Sequence, residues 1–124
     1  MPALEPLPAL RVVADPAALD AARWHGDGVT VLRFAPDDAL AVGANSVDVD
    51  DEHAIVEADA GYVGARVSVD EVLPHLEWAL PAERPTLAQG AIAGVPAKLW
   101  LVGYGDSLLL TSAAYADELA GRIR

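Results

Sequence analysis

Three stretches of this chain carry helix signals, and between them apolar and polar side chains alternate with the two-residue rhythm of strands. The first helix is predicted at "DPAALDAARW", with Asp15 as its cap and Pro16 at the first position, where no N–H is needed. Gly26, Asp27 and Gly28 are expected to end it. "VTVLRF" (29–34) and "ALAVGA" (39–44) flank the turn "APDD", which makes a hairpin the economical reading. From His53 the alternation predicts a half-buried strand, with Ala54, Val56 and Ala58 inward and Glu57 and Asp59 toward water. Val63, Ala65 and Val67 alternate in the same way, with Gly64 and Arg66 opposite.

Ser68 and Glu71 fit a capping box, each side chain meeting the other's main-chain N–H. Val69, Val72, Leu73, Leu76 and Leu80 follow at helical spacing, which predicts a helix over 69–80 with a late start or a kink at Pro74. Three strand-like runs come next, "LAQGAIAG", "PAKLWLVGY" and "SLLLTS", separated by Gly94 with Pro96 and by "GYGD". Thr111 or Ser112 can cap a last helix, whose inner face is Ala116, Leu119, Ala120 and Ile123. Arg122 and Arg124 stand at its C-terminal end, where the helix dipole favours cations. This order predicts an α+β fold, an antiparallel sheet with two or three helices packed mainly on one face.

Pro2, Pro6 and Pro8 rule out regular helix or central strand over residues 1–9, so an extended arm is expected there, followed by a single domain over 10–124. An apolar fraction of 53% with 22% charged residues suits a packed domain rather than a disordered chain. Nineteen acidic against eight basic residues give a net charge of −11. Such a field repels phosphate backbones and anionic membranes, and the only lysine, Lys98, makes no basic patch. The expected partner is therefore a protein, either a larger subunit or a second copy, with neither nucleic acid nor membrane. With no cysteine, thiolate chemistry and disulfides are excluded. "MPALEPLPALRVV" lacks the charged start and apolar run of a secretory signal, and a cytoplasmic location is expected.

The acidic stretch "DVDDEHAIVEAD" (48–59) is the first place to look for chemistry. Asp48, Asp50, Glu52 and Asp59 match calcium-loop spacing, but His53 stands where the sharp turn needs glycine. His25, His53 and His75 lie 28 and 22 residues apart, too far for two zinc ligands on one helical turn. No metal site is expected. The serines at 46, 68, 107 and 112 show no G-x-S-x-G elbow, and "GYGDS" lies between strands rather than before a helix. No catalytic residue and no cofactor is expected, and the residues leave any cofactor-binding position unknown. Trp100 is expected in the core. Trp78 falls off the 69–80 stripe, which makes it a candidate interface residue.

Three segments in order resemble the gamma subunit of heterotetrameric sarcosine oxidase, a relative of the aminomethyltransferase (glycine-cleavage T-protein) fold. They are "VLRFAPDDALAVGA", "EADAGYVGARVSVDEVL", and "LAQGAIAGVPAKLWLV" with "DSLLLTSAAYADELAGRI", together covering about residues 29–124. The chain is a divergent member of that pattern, departing from it at Ala39, Asp59-Ala60 and Val69-Asp70. The resemblance implies a ferredoxin-like or T-protein-like module. It also implies a non-catalytic accessory or assembly subunit, with flavin and dinucleotide chemistry left to larger subunits. No catalytic residue transfers to a position of this chain. The alternative is a small stand-alone ligand-binding domain or enzyme using acidic residues such as Glu52 or Glu57.

Overall fold

The computed structural model describes residues 2–123. In chain order the strands are β1 (Glu5–Pro6), β2 (Ala9–Val13), β3 (Arg23–Ala35), β4 (Asp38–Asp48), β5 (Ile55–Asp59), β6 (Tyr62–Ser68), β7 (Thr86–Ile92), β8 (Val95–Leu101) and β9 (Asp106–Ser112). The helices are α1 (Pro16–Asp20), α2 (Val69–Val72) and α3 (Ala116–Arg122). The fold is α+β, and every strand pairing is antiparallel. The strands divide between two sheets, β1-β6-β9-β8-β7 and β3-β4-β2-β5, where a single sheet was expected. Contacts likewise divide the chain into two compact units, one of residues 2–6 with 61–123 and one of residues 7–60. Of the arm expected over 1–9, Glu5 and Pro6 lie on an edge against Gly64 and Val63, and Ala9 already belongs to β2.

In the unit of residues 7–60, Asp15 caps α1 by accepting the N–H of Ala17 at 3.2 Å, as the sequence indicates. The helix stops at Asp20 rather than reaching Trp24, and Gly26-Asp27-Gly28 lies within β3 instead of ending a helix. Gly26 runs so close to β4 that a Cβ there would lie 2.2 Å from the Gly43 carbonyl oxygen. Only glycine at 26 can pass at that distance, Gly43 opposite has a φ of 85°, and β3 bulges between Gly26 and Thr30 to take up the extra residues. The Pro36-Asp37 hairpin forms as predicted, with Ala35 opposite Asp38. Leu10, Val12, Ala39 and Ala41 pack on one face of this sheet, with Ala14 and Leu19 covering them.

The other unit is built on β6, β9, β8 and β7. Ala65, Val67, Leu99, Leu101 and Leu109 share one face, and Val72 of α2, Leu119 of α3 and Ile123 just past its end pack on it. Leu99, Leu101, Leu109 and Leu119 are fully buried, and such a side chain contributes about 1.5–3 kcal/mol. Ser112 caps the closing segment, which begins as a 3-10 turn over Ala113–Tyr115 before α3. Arg122, at the end of α3, donates to the Ala93 carbonyl at 2.8 Å; Arg124 lies outside the described residues.

Two expectations fail here for physical reasons. The helix predicted over 69–80 is α2 plus a 3-10 turn over Leu73–His75, because Pro74 has no N–H to continue the α-helical ladder. The N–H of Ser68 does meet Glu71 Oε1, at 3.3 Å, as the capping box requires. Beyond His75 the helix ends: Leu76 is extended and bridges Ile92, and the chain then bends at Glu77 and Trp78. Leu76, Trp78 and Leu80 all pack on the core. Trp100, expected inside, alternates against the buried series Val95, Ala97, Leu99 and Leu101 and so faces away from this core.

Candidate functional site

The acidic stretch 48–59 becomes three things. Asp48 ends β4, residues 50–53 turn, and 55–59 form β5 at the edge of its sheet. The turn is organised by Asp51, whose carboxylate accepts the N–H of Asp15 at 2.8 Å and of His53 at 2.9 Å. These two donors hold its pKa below the ordinary aspartate value, with the nearby His53 adding to the effect. Glu52 lies 3.4 Å from His53 Nε2, both side chains almost fully in water. Of the predicted inward face only Ala54 packs against the core; Val56 is 45% exposed and Ala58 is exposed as well, while Ile55 on the other face is 56% exposed. An edge strand has only one neighbour to cover it, and alternation in the sequence does not reveal that.

One charged cluster was not anticipated from the sequence. Arg11 stands in the middle of β2 and reaches both neighbouring strands. Its Nη2 donates to Asp38 Oδ2 at 2.6 Å with Nε beside it, and Nη1 lies 3.8 Å from Asp59. The guanidinium also covers the Phe34 ring, 4.8 Å from its centroid. The Arg11 hydrogen bonds keep the Asp38 pKa below the usual carboxylate range, against a smaller opposing effect of burial. The available signal was an arginine amid "ALRVV", an apolar strand in which a charge needs a partner.

Among the described residues, each unit carries a depression open to solvent. One, of about 450 Å³, is lined by Tyr62, Gln89, Pro96, Lys98 and Ser112 over a small-residue floor. Lys98 Nζ donates there to Gln89 Oε1 at 2.9 Å. The second, of about 520 Å³, lies between Arg23 and the carboxylates Asp48 and Asp50. His25 Nε2 is 2.9 Å from Asp48 at the neighbouring strand end. Neither depression is lined by Glu52 or Glu57. Among the described residues no three histidine, aspartate or glutamate side chains stand close enough to hold a metal ion. Trp78 is half-buried, and its Nε1 donates to the Ala91 carbonyl at 2.9 Å.

The fold matches one already solved. A chain of the heterotetrameric sarcosine oxidase from Corynebacterium sp. U-96, determined in complex with pyrrole 2-carboxylate, superposes with a TM-score of 0.68. The match covers 97% of this chain and 79% of that one, at 15% sequence identity. At that identity the likeness establishes the fold alone. No family model and no curated protein matches the sequence. Among the described residues no helix is long and apolar enough to cross a membrane.

Proposed function

We propose that this chain is a non-catalytic accessory or assembly subunit, comparable to the gamma subunit of heterotetrameric sarcosine oxidase. Its partner would be a larger one-carbon or flavin-dependent enzyme. The observation that carries the reading is the fold likeness, over 97% of this chain, to a chain of a heterotetrameric enzyme. The charge of −11 adds a preference for a basic face on the partner.

Co-expression with the proteins encoded beside it, followed by sizing and mass analysis, tests this directly. The expected result is a stoichiometric complex with a larger, flavin-containing protein that weakens as salt rises. Elution as a free chain in every combination would remove the proposal's basis. A second reading, small-ligand binding, draws on the depression flanked by Arg23, Asp48 and Asp50. Its check is thermal stabilisation by small amines, abolished in the Asp48→Asn, Asp50→Asn double variant.

A further inference from the structure

The main-chain parity of the smaller sheet can be worked out from two hydrogen bonds at its ends. Ala14 N–H donates to the Asp37 carbonyl, and Gly43 N–H donates to the Pro8 carbonyl, both at 3.0 Å. Residues 8 and 14 therefore turn their polar main-chain groups toward β4. In an extended strand the direction alternates, so Leu10 and Val12 bond to β4 while Ala9, Arg11 and Val13 bond to β5. Their β5 partners are Asp59, Glu57 and Ile55. The residues between those partners, Val56 and Ala58, accordingly aim their N–H and C=O groups away from β2, along the outer edge of the sheet. In the described sheet β5 pairs with β2 alone.

Acidic side chains are the one usual protection that edge has. It carries no proline, lysine or bulge, and its two largest apolar side chains, Ile55 and Val56, stand about half in water. Its charges are acidic: Glu57 is exposed within the strand, and Asp50 and Glu52 precede it in the turn. Asp59 is committed to Arg11. A second copy of this chain is a poor occupant. Pairing two β5 edges would set acidic strands and turns side by side, and like charges across a strand pair are destabilising.

We infer that the outer edge of β5 is a strand-addition site for an extended, lysine- or arginine-bearing segment of a larger partner protein. The donors and acceptors of Val56 and Ala58 supply the main-chain ladder, Ile55 and Val56 the apolar contact, and Glu52 and Glu57 the selectivity for a basic segment. This inference deepens the accessory-subunit proposal and rests on it for the identity of the occupant.

The probe is a short synthetic peptide of alternating valine and lysine, with an alternating valine–glutamate peptide as control, followed by amide hydrogen exchange. The lysine peptide is expected to bind and to slow exchange at Val56 and Ala58, whereas the glutamate peptide does not. Ala58→Pro removes one outward donor without touching the β2 ladder, and weakens binding about tenfold. Should that variant fold poorly, the Glu52→Gln, Glu57→Gln double variant leaves the backbone intact and should weaken binding comparably. The assignment is overturned if the lysine peptide protects neither amide, if both peptides bind alike, or if the folded variants bind as the parent does. A complex with a large subunit that survives Ala58→Pro refutes the edge and leaves the accessory proposal standing. Peptide binding at the edge, with no large-subunit complex under any condition, has the opposite meaning.

Discussion

The indole of Trp78 lies directly over Gly90: a Cβ on Gly90 would fall 2.7 Å from both Cε2 and Nε1 of the ring. The ring is held in place by the Nε1 hydrogen bond to the neighbouring Ala91 carbonyl. Residue 90 is thus glycine because the ring needs the space. Gly90→Ala must displace the indole and break that bond, at a cost of about 1–3 kcal/mol. Urea denaturation should show the lowered midpoint, together with a red-shifted tryptophan emission.

Trp78→Ala should cost about 2 kcal/mol, below the ~3–5 kcal/mol of a fully buried tryptophan because part of the ring is already in water. We also propose Trp78 as a subunit contact through that exposed part. Sizing of the co-expressed complex at a temperature where the variant remains folded separates the two roles. A complex of unchanged size and stability would leave Trp78 with a packing role alone.

Arg11 and Asp38 set part of the acid sensitivity. Because the folded-state pKa of Asp38 is lowered, its contribution is fully present above the unfolded carboxylate value of about 4. It disappears as pH falls through the lower folded value. Asp38→Asn should therefore flatten the acid limb of the stability profile below about pH 4. Arg11→Ala strands two carboxylates and uncovers Phe34, and about 1.5–3 kcal/mol of stability should be lost at neutral pH, by thermal or chemical denaturation.

Asp51 works in the same direction but locally. Its lowered pKa means that the turn is held above pH 4 and loosens as acid protonates the carboxylate. Asp51→Ala should speed amide exchange at Asp15 and His53 while leaving the exchange of β8 and β9 unchanged. Uniformly faster exchange across the chain would contradict so local a role.

The β7–β8 hairpin turns through Ala93 and Gly94, both with positive φ, at 51° and 78°. An alanine in that left-handed conformation costs roughly 1 kcal/mol relative to glycine. Ala93→Gly should accordingly raise stability slightly, by up to about 1 kcal/mol after the added flexibility of the unfolded chain is subtracted. Equal or lower melting temperature would mean that the hairpin does not feel this strain.

By itself the sequence determined the features that depend on neighbouring residues. Asp15 caps a helix, Ser68 and Glu71 form their box, and the turns at 36–37 and 102–105 fall where Pro, Asp and Gly stand. The α+β class was legible for the same reason, since two-residue and helical periodicities differ over a few positions. The tertiary structure decided how each pattern was used. Leu76 and Leu80 fit a helical stripe, but Pro74 and the bridge of Leu76 to Ile92 ended the helix at His75, and the non-helical chain that follows turns Trp78 onto the core. Alternation in residues 54–59 said strand but not edge, because exposure of Ile55 and Val56 depends on whether another strand lies beside them. Arg11 meets Asp38 and Asp59 across 27 and 48 positions of sequence, through strand register alone. Only folding brings such pairs together.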